Sequence, residues 1–231
     1  MVFDPKTRTI AYPAHKDGYI FSFYKEKLES IYEDWLRTNG LESAVTAFRA
    51  TKENNVSLAK LAFDFIRQNP GCGILATDIE GFFDNINHQK LKGIWTRFLG
   101  ETRLPDDHYT VWKALTHYTT VERHTAYRMF GHSLSRRPSA DRICTPSEFR
   151  EQIAAANLVR PHGGASSGIG IAQGSSLSPL LSNMYLADVE LAISQWARSR
   201  GGAYWRYCDD ILIVVPRWST PAVPQILSRE L

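Results

Sequence analysis

Apolar residues recur at helical spacing from Tyr24 to Leu36, where Tyr24, Leu28, Ile31, Tyr32, Trp35 and Leu36 fall together and Gly40 lies beyond the end. Upstream, Thr9 to Tyr12 is a short extended run broken at Pro13. Asn55 has the chemistry of a helix cap, and Leu58, Leu61, Ala62, Phe65 and Ile66 share a face of the helix it opens. The pattern then changes. Ile74, Leu75 and Ala76 form a short apolar run after Pro70 and Gly71, which predicts a buried strand that delivers Asp78 at its end. Asn87 is placed to cap a third helix carrying Leu91, Ile94, Trp95, Phe98 and Leu99, and Pro105 to start a fourth.

Periodicity fades between Arg123 and Arg142. That stretch holds Arg123, Arg128, Arg136, Arg137 and Arg142 and reads as a basic loop or a short ribbon. Thr145-Pro146-Ser147-Glu148 combines a capping box with proline at the first helical position, so a helix starts there. Ser178-Pro179 repeats the signal ahead of a long helix ending near Arg200, stopped by Gly201 and Gly202. Two β-rich runs, Ala203 to Tyr207 and Ile211 to Val215, flank Cys208-Asp209-Asp210, a hairpin with two acids at its tip.

Composition changes this picture little. The 231 residues are 43% hydrophobic and 22% charged, enough for a sizeable core in one large domain or two small ones. Twenty-seven Lys and Arg against 24 Asp and Glu leave a formal charge of +3 and a pI near 8.7, too mild to mark a nucleic-acid binder by itself. Cys72, Cys144 and Cys208 are widely separated and form no metal-ligand pair. With no secretory leader and no apolar run near the roughly 18 residues that span a bilayer, the chain reads as soluble, reduced and cytoplasmic.

The acids carry the chemistry. Asp209 and Asp210 lie side by side between strand-forming runs, where like charges repel and burial penalises both. Alone they read first as turn residues, since aspartate forms turns readily. A divalent cation is the other solution, because Mg²⁺ takes hard oxygen ligands and neutralises such a cluster. Asp78, by itself a capping or turn residue, completes a site if two neighbouring strands bring their ends together. Two ions about 4 Å apart there would activate a 3′-hydroxyl and grip a triphosphate. Between the acids runs Ala172-Gln173-Gly174-Ser175-Ser176-Leu177-Ser178-Pro179. Ser178 and Pro179 are an ordinary helix start, while Gln173 and Gly174 just ahead of it are better placed to touch a nucleotide or template.

Three segments now align with a known pattern. Asp78-Ile-Glu-Gly-Phe-Phe83-Asp84, then Gln173-Gly-Ser-Ser-Leu-Ser-Pro179 with Asn183, then Tyr207-Cys-Asp-Asp210 resemble the A, B and C motifs of reverse transcriptases, in order and at suitable spacing. Arg8-x-Ile-x-x-Pro13 with His15-Lys16-Asp17 resembles the fingers of bacterial enzymes related to group II introns and retrons. Ala47-Phe48-Arg49, the segment from Asn55 to Ile66, and Tyr207-Cys208 are similar to the antiphage defence and abortive-infection branch. The resemblance covers nearly the whole chain.

The resemblance implies metal ligands Asp78 and Asp209, with Ile79 lending its backbone carbonyl and Asp210 completing the cluster, for two Mg²⁺ ions or Mn²⁺ in their place. Phe83 matches the aromatic residue under the sugar that excludes a 2′-hydroxyl, with Phe82 as the alternative. Gln173, with Gly174, matches the residue beside the incoming nucleotide. Arg8 and Lys6 match fingers residues that hold the triphosphate; the alternative is solvated N-terminal charge. Tyr207 matches a residue near the primer end, or else it is a packed strand tyrosine. Arg136 and Arg137 are expected to meet primer or template phosphates. Asp84 and His88 read as structural, a cap and a helix-start residue.

The fold implied is α+β, the fingers and palm of a right-hand polymerase with a ferredoxin-like palm sheet. Residues 1–70 would be the N-terminal part of the fingers and 71–231 the palm, with a fingers-like insertion at about 105–165. The family continues into a primer-gripping segment and a helical thumb; none is evident before Leu231. A fragment, a partner chain that supplies the grip, and a non-autonomous polymerase all remain open. The activity implied is RNA-directed DNA synthesis from deoxynucleoside triphosphates, on a structured non-coding RNA template in antiphage defence, with RNA template and DNA product as partners and no membrane. A template-independent or protein-primed nucleotidyltransferase, and an RNA-binding scaffold with little activity, are the alternatives; unused carboxylates argue against the scaffold.

Overall fold

The computed structural model describes residues 10–49, 55–133, 142–162 and 164–222, together with Pro224 and Leu227. Helix α1 spans His15–Thr38, longer than its apolar pattern, and buries Phe21, Tyr24, Leu28, Tyr32 and Leu36 at intervals of three and four. Asp17 in its first turn and Arg37 in its last suit the helix dipole. Then follow α2 (Asn55–Gln68), β1 (Cys72–Asp78), the single turn α3 (Phe82–Asn85), α4 (His88–Phe98) and α5 (Asp106–Thr116). The Asn87 side chain accepts the Lys90 N–H at 2.9 Å, so the expected cap of α4 forms, and Pro105 directly precedes α5.

Beyond α5 the order is β2 (Thr119–Thr120), α6 (Arg123–Met129), α7 (Pro146–Glu148), a π-helical turn at Phe149–Ala154, β3 (Arg160–Pro161), α8 (Gly164–Ser167), α9 (Ser178–Tyr185), α10 (Ala187–Arg198), β4 (Ala203–Tyr207) and β5 (Asp210–Pro216), with a 3₁₀ turn at Arg217–Ala222. Strands β2 and β3 pair as a small ribbon. The Thr145 capping box forms as expected.

Three expectations change. The stretch from Arg123 is a helix as far as Met129, not a loop, because the Glu122 carboxylate caps it through the His124 and Thr125 N–H groups and Tyr127 is buried beneath it. The long helix expected from Ser178 to Arg200 is two helices that meet at Leu186. Strand β1 is not buried on both faces: Ile74 is 49% exposed.

The reason for the last lies in the sheet. Its strand order is β1-β5-β4, all antiparallel. One face carries Tyr204, Arg206, Ile211, Ile213 and Val215, all buried, and α10 packs against β4 and β5. The other presents Ile74, Ala76, Asp78, Asp210, Leu212, Trp205 and Tyr207, since residues two apart share a face and paired residues share it too. Helix α2 stands over part of this second face and leaves a cavity of about 680 Å³ lined by Ala62, Phe63, Ile66, Ala76, Trp205 and Leu212. The free edge of β4 is taken by the segment after α1: Arg206 N–H donates to Ala44 O at 2.8 Å and Thr46 N–H to Arg206 O at 2.9 Å. Among the described residues no helix is long and apolar enough to cross a membrane.

Candidate active site

Antiparallel register brings the acids together. Asp78, the last residue of β1, pairs with Asp210, the first of β5, and Asp210 pairs in turn with Tyr207 at the end of β4. All three side chains belong to the open face, at the mouth of the cavity under α2. Side chains so opposed have Cβ atoms about 5 Å apart. Asp209 sits in the connecting turn, where Cys208 adopts a left-handed backbone (φ 59°). Its carbonyl accepts the Ile79 N–H at 3.1 Å, which ties the turn to the residue after Asp78. Burial pushes the Cys208 thiol up to about 12, and the adjoining Asp209 carboxylate adds to the effect. A raised thiol pKa disfavours the thiolate, the reactive form.

These donors have the chemistry of a hard-cation site, carboxylates at one sheet end with a backbone carbonyl next to them. Among the described residues no three acid, histidine or cysteine side chains already converge on one point. The fit therefore rests on the paired register of Asp78 and Asp210 and on Asp209 in the adjoining turn.

A second wall is built by backbone bonds between the segment after β1 and the loop before α9. His88 N–H donates to Gly168 O, Gly170 N–H to Ile86 O, and Ile171 N–H to Phe83 O, at 2.9, 2.8 and 3.0 Å. Phe82 is 5% exposed and packs on Tyr185, whereas Phe83 is only partly buried against the core. The Gln173 amide donates to Asp84 Oδ1 at 3.3 Å, and Gln173 O accepts the Ala11 N–H at 2.7 Å. Gly174 has φ 121°, and a Cβ there would stand 2.7 Å from Ala11 O, so only glycine lets the N-terminal segment lie this close. Ile10 and Ala11 are thus laid beside Gln173 and Gly174.

His88 pins the wall, its Nε2 lying 2.6 Å from Gly170 O. Burial holds its pKa below the ordinary value against the upward pull of the Gly170 bond, with His117 and His162 adding to the burial. The folded state thus resists the proton that the unfolded chain accepts. Stability is full above about pH 6.5 and is lost as pH falls below it. Melting temperature measured from pH 7.5 to 5.5 should fall, and His88→Gln should flatten the slope.

Beneath the turn lies a polar network. Arg206 is 1% exposed; its Nε donates to Glu190 Oε1 at 2.6 Å, one terminal nitrogen to Asn183 Oδ1 at 3.0 Å and the other to Cys208 O. The Asn183 amide donates to Ala47 O at 2.9 Å, and the Tyr32 hydroxyl to Glu190 Oε2 at 3.4 Å. Burial pushes the Glu190 carboxyl up against the pull of Arg206. On Arg206, burial works against the charge, and Glu190, Tyr204 and Tyr32 together outweigh it, so the guanidinium stays protonated.

The structure brings Asp78, Ile79, Asp209, Asp210 and Tyr207 to one sheet end, and Phe83, Gln173 and Gly174 to the adjoining wall. Tyr207 is 47% exposed and not packed in the core. Asp84 is an exposed partner of Gln173 and caps no helix; Gly81 precedes α3 and Asn87 caps α4. Lys6, Arg8, Arg136 and Arg137 lie outside the described residues; Arg123 and Arg128 stand exposed on α6. Sequence reasoning missed Arg206, Glu190 and Tyr32. The signal was there: Arg206 shares the parity of Tyr204 in a strand pattern, and Glu190 falls on the buried face of its helix with Ala187, Ser194 and Ala197.

Comparisons agree with this architecture. The model of the reverse transcriptase (RNA-dependent DNA polymerase) family matches residues 6–228. Among solved structures, apo telomerase from Candida tropicalis truncated from its C-terminal domain is 13% identical with a TM-score of 0.52, over 91% of this chain and 38% of that one. The apo telomerase of the same organism gives 14% identity and a TM-score of 0.51, over 90% and 33% of the two chains. Telomerase from Candida albicans in complex with a TWJ fragment of telomeric RNA gives 16% and 0.52, over 90% and 32%. These are likenesses of fold, and this chain spans about a third of the telomerases' length. No curated protein is similar enough to count as a relative. With a family model that accounts for nearly its whole length, the chain belongs to the reverse transcriptase family.

Proposed function

We propose that the chain carries the polymerase centre of an RNA-directed DNA polymerase, which adds deoxynucleotides to a 3′-hydroxyl on an RNA template. The observation that carries this reading is the Asp78–Asp210 pairing on the open end of the sheet, beside the Asp209 turn and the Gln173 wall. Asp78, Asp209, Asp210 and the Ile79 carbonyl are the ligands for two Mg²⁺ ions, or Mn²⁺. Bound there, the ions supply charge neutralisation for phosphoryl transfer. Phe83, Gln173 and Gly174, with Arg8 and Lys6, orient the deoxynucleoside triphosphate; Tyr207 meets the primer end, and Arg136 and Arg137 the phosphates of RNA or DNA.

In this reading residues 1–70 belong to the fingers and 71–231 to the palm with its insertion at about 105–165. The likeness of fold to a telomerase that binds telomeric RNA supports an RNA template. The similarity of Ala47-Phe48-Arg49 and Tyr207-Cys208 to the defence branch supports a structured non-coding RNA and a role against phage. Primer extension with and without added RNA tests it. Synthesis that follows the template sequence is expected. Template-independent addition would identify a terminal or protein-primed transferase, and RNA binding without synthesis a scaffold.

A further inference from the structure

We propose that Arg206 and Glu190 are positioning residues for the reaction, which rests on the polymerase reading above: the buried pair sets the direction of the Asp209 carboxylate. The direction of a side chain follows from the two peptide planes that flank its Cα. Here both planes are held. The one before Asp209 is gripped at Cys208 O by the Arg206 guanidinium, and the one after it at Asp209 O by the Ile79 N–H. Cys208 holds φ 59°, a conformation L residues seldom adopt unless the surroundings enforce it.

The guanidinium is itself immobilised. Each of its three nitrogens donates to a different element: α10 through Glu190, α9 through Asn183, and the turn. Tyr32 on α1 steadies Glu190, and Asn183 reaches across to Ala47. A buried ion pair is a poor way to gain stability, since apolar residues of equal volume often serve as well. Its placement directly under the acid-bearing turn accounts for it as a geometric device, because displacement of a reacting group by about 1 Å costs catalysis on the order of a hundredfold.

The test uses Arg206→Lys, which keeps a charge opposite Glu190 but has no planar fork to span Asn183 and Cys208 as well. Amide exchange of Ile79, whose acceptor is Asp209 O, reports the turn directly and should quicken about tenfold or more while the rest of the sheet stays protected. Affinity for Mn²⁺ alone, measured by electron paramagnetic resonance, should weaken about tenfold, and kcat should fall with KM for the deoxynucleotide unchanged. Arg206→Met with Glu190→Met is the second variant, apolar and without an unpaired charge; it should show the same three effects. A folded variant with wild-type Ile79 exchange and Mn²⁺ affinity would overturn the proposal. So would failure of both variants to fold, since the pair would then be a support of the whole core. An inactive wild type would refute the polymerase reading instead, while exchange and Mn²⁺ affinity would still decide the role of the pair.

Discussion

Asp209→Asn is expected to abolish nucleotide incorporation while leaving the fold intact. The two side chains have the same shape, and Asp209 sits in a turn whose backbone is fixed by Ile79 and Arg206, so nothing in the core must move. What changes is charge. In the proposed reading Asp209 is a metal ligand, and its loss weakens charge neutralisation at the transferring phosphate; several kcal/mol there is a drop of about a thousandfold or more. In Mg²⁺-free buffer the variant should melt at an equal or higher temperature than wild type, because it removes one negative charge next to the paired Asp78 and Asp210. Primer extension and a thermal melt measure both. A variant that polymerises at near the wild-type rate would remove Asp209 from the metal site.

The elements around this site were legible in sequence because each carries a local signal. Asn87, the capping box at Thr145 and the acidic hairpin need only nearby residues to act, and all three stand where the sequence put them. Less was legible where distant residues decide. Ile74, Leu75 and Ala76 form the same apolar run whether one face of β1 is covered or both, and only the placement of α2 leaves Ile74 in the open. The helix at Arg123 depends on Glu122 as a cap and on burial of Tyr127, which a five-arginine stretch conceals. That Asp78 and the hairpin acids can meet at one sheet edge was expected from two strand ends; the Asp78–Asp210 register is seen only in the fold. The support for Asp209 was not expected, since Arg206, Glu190, Asn183 and Tyr32 come from four elements and meet only in the fold.

Phe83→Ala is expected to let ribonucleotides in, and Phe82→Ala to cost stability instead. Had the segment after Asp78 continued as a strand, the two rings would alternate faces. It does not: Gly81 turns the chain at φ 61°, and both phenylalanines open the helical turn α3, where successive side chains diverge by about 100°. The separation of roles survives the change of geometry. Phe82 is driven into the core against Tyr185, with its ring 6.2 Å from that ring, and its truncation should cost roughly 3 to 5 kcal/mol. Phe83 is only partly buried, and its carbonyl is bonded to Ile171, two residues before Gln173. In the proposed reading, that tie keeps Phe83 beside the nucleotide, and its ring fills the space a 2′-hydroxyl needs. Incorporation ratios of deoxy- to ribonucleotide, measured for both variants beside their unfolding free energies, separate the two effects. The ratio should fall steeply in Phe83→Ala and hold in whatever fraction of Phe82→Ala stays folded. An unchanged ratio in Phe83→Ala would take this ring off the sugar and return it to the core.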